Sequence, residues 1–363
     1  MLIGGGHSHV EVLRRFGAAP PPDTRLTVIC RVARTPYSGM LPGLIAGHYR
    51  FEETHIDLEP LCRYAGARFV RDTVTGLDTA GRTVVCADGP PVPYDLLSIN
   101  IGSAPSTAEV PGAAEHAVPV KPISRFLSHW ETLLSRLHGG EARIAVVGGG
   151  AGGVELLLAI QHRLRGEPVQ FHLVTDGDTL LPSHNPQVRA IFGRVMAARG
   201  VRVHTGHRVM QVVGGTLRCA NGASLAFDEI LWVTAAGAAS WPAEAGLATD
   251  GNGFIEVGKT LQSTSHPEIF AAGDIAAIVG HPCPKAGVFA VRQGPPLARN
   301  LRRRLRGETL EPYIPQRRFL SLIGTGDRNA VLSRGGWTLQ GRSMWRLKDW
   351  IDRRFVARFN DLV

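Results

Sequence analysis

Apolar runs that stop at glycines dominate the pattern of this chain. "RIAVV" at 143–147 meets Gly148, Gly149 and Gly150 and is followed by "VELLLAI" at 154–160, which predicts a buried strand, a tight turn and a helix. The next apolar run, "VQFHLVT" at 169–175, completes a strand–helix–strand unit. A shorter copy opens the chain, with Met1–Ile3 as a strand, glycines at 4–6, a helix over His9–Phe16, a proline-rich turn and the strand "RLTVIC" ending at Cys30. A core strand usually takes about five residues, so three predict either an unusually short strand or a start placed too late. From residue 67 to 93 apolar and polar residues alternate between turn signals, as in a small antiparallel meander, and "YDLLSINIGS" then reads as a buried strand. "SRFLSHWETLLSRLHG" predicts a helix before the second unit, and "VRVHT", "VMQVVGG", "LRCANG" and "EILWVTAAG" predict strands after it. A further helix is expected from about Lys285 to Arg306.

In a G-x-G-x-x-G loop the first glycine allows the turn, the second lets the backbone approach a pyrophosphate, and the third lets helix and strand pack closely. Gly148, Gly150 and Gly153 occupy all three places. In the opening unit Gly4 and Gly6 occupy the first two, but His9 stands in the third, with His7 and Ser8 between them. An acid that grips a ribose hydroxyl is expected at the end of the second strand of such a unit. Asp176 follows "HLVT" one position late, with no arginine directly after it to receive a 2′-phosphate, so NADH is favoured over NADPH. After the first loop that place reads Ile29, Cys30, Arg31, and a ligand there must be held without an acid.

Composition narrows the picture. The 363 residues suffice for two or three compact units. No run approaches the roughly 18 apolar residues of a spanning helix. No charged-then-apolar leader precedes the glycines, so a cytoplasmic protein is expected. The five cysteines lie far apart with no C-x-x-C pair, read as buried thiols, and give no metal-ligand spacing. The net charge of +9 is unevenly placed, because residues 301–363 hold 13 arginines and one lysine against six acids, a balance of +8. Only four of the 40 basic residues are lysines (Lys121, Lys259, Lys285, Lys348), so a lysine that persists in so arginine-biased a chain is of interest.

After the second unit comes "TSHPEIFAAGD". Two glycine loops followed by this return motif, with Thr264, Ile269, Phe270, Gly273 and Asp274 in place, resemble the two-dinucleotide-fold flavoproteins of the pyridine nucleotide-disulfide oxidoreductase superfamily. "GGGHSHVEVLRRF", "PYSGMLPGLIAGHY", "PKAGVFAVRQGP" and "WRLKDWIDRRF" more closely resemble the module found alone or fused ahead of selenide, water dikinase, which is itself similar to type II NADH dehydrogenases. The resemblance implies an α/β fold of two dinucleotide-binding, Rossmann-like domains, the NAD(P)H domain inserted in the FAD domain, plus a C-terminal α+β section. Residues 1–117 and 246–306 would form the FAD domain, 118–245 the NAD(P)H domain and 307–363 a basic and aromatic section.

It further implies FAD held by Gly4, Gly6, His7, Ser8, Gly102 and Gly273, with Asp274 on the ribityl chain, and NAD(P)H held by Gly148, Gly150, Gly153 and Asp176. Tyr37, Ser38, Gly39 and Met40 are expected along the isoalloxazine. The helix after "PKAG" should aim its N-terminus at the flavin, with Lys285 as an added cation. Glu155 matches an acid that faces the nicotinamide, and Gln293 a glutamine on the quinone side, although Val288 stands where that motif's earlier glutamine would be. Glu155, Lys285 and Gln293 are thus the catalytic candidates.

The activity expected is hydride transfer from NAD(P)H to FAD and electron transfer to a quinone-like or other small acceptor. No cysteine pair lies between Gly39 and Gly47 to act as an internal disulfide acceptor. A soluble reductase of selenium or sulfur compounds and a non-catalytic flavin-binding redox sensor are the rival readings. In the tail, "GRSMWRLKDWIDRRFVARF" spaces Met344, Leu347, Ile351 and Phe355 by three and four, with Trp345, Val356 and Phe359 broadening the face and arginines flanking it. Such a helix either lies on an anionic membrane surface, at the inner face of the cell membrane, or packs on the FAD domain or in a homodimer. No nucleic-acid-binding fold accompanies the arginines.

Overall fold

The computed structural model describes residues 1–105, 107, 109–137, 140–234 and 236–362. Two five-stranded parallel sheets form its frame, each centred on a strand that runs into a glycine loop. In the first, Leu2–Ile3 lies between Thr27–Ile29 and Leu97–Ile99, with Arg68–Val70 and Ile269–Ala271 at the two edges. In the second, Ala142–Val147 lies between Val169–Val174 and Glu229–Trp232, with Arg202–His204 and Val118–Pro119 at the edges. The chain leaves the first sheet after Leu97–Ile99, builds the whole second sheet, and returns to pair Ile269–Ala271 with the strand it left. This is the two-dinucleotide-fold architecture that the motifs imply.

The opening strand is only Leu2–Ile3. It is fixed at both ends, since the Met1 ammonium donates to Leu96 O at 2.7 Å and Gly4 N donates to Ile29 O at 2.8 Å. Arg68–Val70 departs from the meander expected there and joins the first sheet as a parallel edge. The meander itself is Val74–Asp78, Thr83–Cys86 and Val92–Pro93, and a second follows at Val209–Val213, Thr216–Cys219 and Ser224–Ala226.

The missing third glycine of the first loop has a physical account. His9 lies buried in the first helix, His7–Ala18, with Nδ1 2.7 Å from Gly4 O and Nε2 2.8 Å from Ser98 Oγ. A carbonyl only accepts, so Nδ1 carries the proton and Nε2 accepts from the serine. Burial pushes the ring's pKa down to about 4 and keeps it neutral. One imidazole therefore joins the helix to the glycine turn and to the neighbouring strand, where the second loop uses direct contact.

The last section is an antiparallel sheet of Ser321–Gly324, Ala330–Arg334 and Trp337–Gly341, followed by the helix Arg342–Asn360. Ile323 and Val331 pack into the core of the second sheet, while Phe355, Val356 and Phe359 pack into the core of the first. Part of the helix's apolar face is thus used inside the molecule, and Met344, Leu347 and Ile351 are half-buried. What remains exposed is Trp337 (77%), Trp350 (57%) and Leu339 (53%). Cys30, Cys62, Cys86 and Cys219 are buried free thiols, and Cys283 is half-buried.

Candidate functional site

A cleft of about 1350 Å³ runs along the second glycine loop and on between the two sheets. Its walls include Gly148–Gly150 and Asp176 beside the second loop, together with Ser38, Lys121, Glu155, Phe254 and Lys285. The three glycines of the second loop sit in three different surroundings. Gly148 has φ +133°, a conformation that disfavours a side chain. A Cβ on Gly153 would collide with Gly148 O, so helix and strand meet backbone to backbone there. Around Gly150, the N-cap of the helix Ala151–Arg163, a Cβ would meet nothing within 4 Å. An open space in front of a helix N-terminus suits a pyrophosphate.

The segment after the strand Arg202–His204 joins the wall beside Asp176. His207 N donates to Thr175 O at 2.9 Å and Gly206 N to Gly177 O at 3.0 Å, which brings His207 and Arg208 to the same end of the cleft. The sequence offered no arginine after Asp176, and the fold supplies one from 32 positions further on.

The first loop is packed more tightly. Gly4 has φ +89° and lies against Asn100 O, and a Cβ on Gly6 would strike the Asn100 side chain. Gly273, with φ +73°, meets the same side chain, so Asn100 lies between the glycine loop and the return motif. Two polar atoms here are buried without a hydrogen-bond partner, Asn100 Oδ1 and His7 Nε2. Orphaned polar atoms beside a glycine turn fit a polar ligand that the structure does not include, and FAD fits this place. Gly102, at φ +76°, has open space around it.

Asp274 sits beyond this loop. Its Oδ2 accepts from Lys121 Nζ at 2.8 Å and from Ser103 Oγ at 3.1 Å. Burial works against its charge, but Lys121 and Ser103 outweigh burial and hold the carboxyl below the usual range.

Several expected ligand contacts fall elsewhere. Ser8 is buried and donates to Ala290 O at 2.6 Å, tying the first helix to the helix Gly287–Leu305 instead of facing a ligand. Met40 is buried in the core of the first sheet, so its side chain is taken up by packing and does not line a ring. Gln293 is buried with its Oε1 2.6 Å from Gly273 N, so it secures the return turn and does not reach a quinone. Lys285 borders the cleft, but its ammonium donates to Ala276 O at 2.7 Å and lies 3.8 Å from the Phe254 ring centroid. Burial lowers its pKa, and the charge is committed to these partners.

Tyr37, Ser38 and Gly39, expected along the isoalloxazine, lie between the cleft and the C-terminal helix. Ser38 borders the cleft, the Tyr37 ring lies tilted against Phe355 with centroids 4.5 Å apart, and Gly39 O accepts from Lys348 Nζ at 2.6 Å. Lys348, on the C-terminal helix, also bonds Asp352 Oδ2 at 2.8 Å and lies 3.8 Å from Glu155 Oε1. Glu155 accepts from Gly324 N at 2.7 Å and borders the cleft from within the protein. Burial raises its pKa against the opposing effect of Lys348. Burial also opposes the charge of Lys348, but Glu155 and Asp352 outweigh it and leave that pKa raised.

Sequence reasoning gave Lys121 and Lys348 no role, though a signal existed. Three of the four lysines, Lys121, Lys285 and Lys348, are at or beside the cleft, where a compact ammonium bonds carbonyls and single carboxylate oxygens. Among the described residues no group of three or more His, Cys, Asp and Glu side chains could hold a metal, and no helix is long and apolar enough to cross a membrane.

Comparison with known proteins adds a family. The profile described as pyridine nucleotide-disulphide oxidoreductase matches residues 1–300. An NADH dehydrogenase-like protein of Mycobacterium tuberculosis is 29% identical over 230 residues, which cover 59% of this chain and 56% of that protein. The matched part thus spans little more than half the length of that relative. A type II NADH:quinone oxidoreductase of Staphylococcus aureus is 22% identical over 396 aligned positions that cover 100% of this chain and 96% of that one. The structure of NDH2 from Plasmodium falciparum in complex with NADH superposes with a TM-score of 0.82 at 14% identity, covering 99% of this chain and 97% of that one. At that identity the likeness is one of fold.

Proposed function

The chain belongs to the pyridine nucleotide-disulphide oxidoreductase family, and from that premise we propose that it oxidises NADH through a bound FAD and passes the electrons to a quinone. The observation that carries this reading is the single cleft that joins Gly150 and Asp176 to Ser38, Lys121 and Glu155. Its volume of about 1350 Å³ exceeds the roughly 300–1,000 Å³ of a single small-ligand pocket. Residues 1–117 and 246–306 are assigned to FAD and 118–245 to NADH. FAD, when bound, supplies hydride acceptance and electron release.

The chain's own residues bind and orient. Gly150 admits the NADH pyrophosphate at a positive helix end, and Asp176 accepts from the adenosine ribose. Asp274, held in place by Lys121, offers its remaining oxygen to the ribityl hydroxyls. Glu155 borders the nicotinamide end. Anaerobic mixing with NADH tests the reading, since the flavin absorbance should bleach within the mixing experiment. A flavin that stays oxidised for minutes would make the protein a sensor and not a dehydrogenase.

The bipolar end of the cleft sets nucleotide preference. Asp176→Ser should weaken NAD⁺ binding about tenfold, the worth of one charge-assisted hydrogen bond. Because Arg208 and His207 already stand in that wall, the same variant should bind NADP⁺ at least as well as NAD⁺. Titration of the holoprotein with both nucleotides gives the two dissociation constants.

Quinones reside in membranes, and an exposed apolar and basic surface supports attachment there. Trp337 pairs with Arg334 across the last sheet, Leu339 lies two residues on, and Trp350 lies under Arg354 at 5.2 Å. This sheet face with the exposed Trp350 of the helix, and not the helix's buried stripe, would meet the anionic headgroups. Vesicles rich in anionic lipid should sediment the protein at low salt, neutral vesicles should not, and Trp337→Ser with Leu339→Ser should abolish the binding. Equal binding by that double variant would remove this surface from the reading.

A further inference from the structure

Three elements converge on the His7 ring. It opens the first helix, lies 5.2 Å from the Tyr37 ring and 5.8 Å from the Phe355 ring, and borders the start of the helix Gly287–Leu305. A Cβ on Gly287 would stand 3.3 Å from Ser38 Oγ and 3.9 Å from His7 Nε2. That nitrogen is sealed from solvent and has no hydrogen-bond partner. A phenylalanine would make the same aromatic contacts without an unpaired polar atom, whose burial is destabilising. Packing alone therefore does not account for histidine at this position.

Burial lowers the ring's pKa to about 4, with Asp274 opposing that shift and Lys121 adding to it, so the ring is neutral and offers one donor and one acceptor nitrogen. The nitrogen faces the start of the helix Gly287–Leu305, on the side of Ser38. We propose that His7 is a cofactor-contacting residue whose Nε2 hydrogen-bonds the polar edge of the flavin ring. The inference rests on the FAD reading above and adds to it the atom that meets the ring. Histidine at this position lowers the stability of the FAD-free protein and raises that of the loaded one.

The test compares wild type, His7→Phe and His7→Gln, the last because its amide reaches the place of Nε2. FAD affinity, the visible flavin spectrum and the flavin midpoint potential are measured on the holoproteins, and thermal melting on holo and FAD-stripped forms. His7→Phe should bind FAD about tenfold more weakly, shift the flavin bands and potential, and melt no lower than wild type when stripped. His7→Gln should restore part of the affinity. A His7→Phe protein with wild-type affinity, spectrum and potential overturns the assignment of His7 while leaving the FAD reading standing. Equal destabilisation of its stripped and loaded forms also overturns the assignment, because that is the mark of a packing role. A wild-type protein that retains no FAD overturns both.

Discussion

Replacing Gly150 by glutamate should give a folded protein that keeps its FAD and no longer reacts with NADH. The side chain would enter a space with no heavy atom within 4 Å, and the backbone there has φ −74°, so the fold has no reason to resist it. Inside the cleft the result is different, because a carboxylate would occupy the place of a pyrophosphate and repel it. The expected loss in NAD⁺ affinity is about 100-fold or more, equivalent to about 2.7 kcal/mol. Gly153→Ala makes the contrast, since its Cβ would collide with Gly148 O and overpacking costs about 1–3 kcal/mol of stability. Thermal melts, flavin content and NAD⁺ titration separate the two. Loss of flavin from Gly150→Glu would mean that the two loops have been assigned to the wrong ligands.

Lys348→Met should be among the most destabilising single changes available. It removes the cation shared by Asp352 and Glu155, both largely shielded from solvent, and leaves the Gly39 carbonyl without its donor. Breaking a buried charge group in this way costs about 3–5 kcal/mol. Glu155→Gln in the same chain should restore part of that, and a double-mutant cycle from urea titrations measures the coupling. The sign of the pH dependence follows from Glu155. Its pKa in the fold is already raised by burial, and without Lys348 it rises further. The folded variant then keeps a proton that the unfolded chain gives up, so its stability falls as pH rises from the ordinary glutamate value through the raised one. A variant whose stability does not change over that interval would show that Glu155 is not the group left unpaired.

The frame of the molecule was legible because backbone demands leave marks on sequence. Apolar runs ending in glycine gave both central strands, and "TSHPEIFAAGD" gave the return to the first sheet. Residue roles were less legible wherever one residue type serves two purposes. Gln293 was read as facing an acceptor, yet the same amide satisfies the Gly273 N–H. Met40 and Ser8 are equally suited to a ligand and to a core or helix contact, and only the path of neighbouring elements decides. His9 broke the glycine pattern and could not be interpreted until Ser98, from a strand 89 positions away, stood beside it. Arg208 was invisible for the same reason, and Lys348 carried only the signal of a rare lysine, because its partners Gly39 and Glu155 come from distant parts of the chain.

The C-terminal helix has a consequence for how the protein is made. Phe355, Val356 and Phe359 complete a core whose first strand is Leu2–Ile3, and Lys348 completes a charge group begun at Glu155. A ribosome that adds about 5–20 residues per second holds the opening sheet exposed until more than 340 residues have been translated. The nascent chain would spend that interval with an unfinished apolar surface beside an already compact second sheet. Production of this protein should therefore depend strongly on chaperone capacity during synthesis, and slowing translation late in the message should increase the fraction that aggregates.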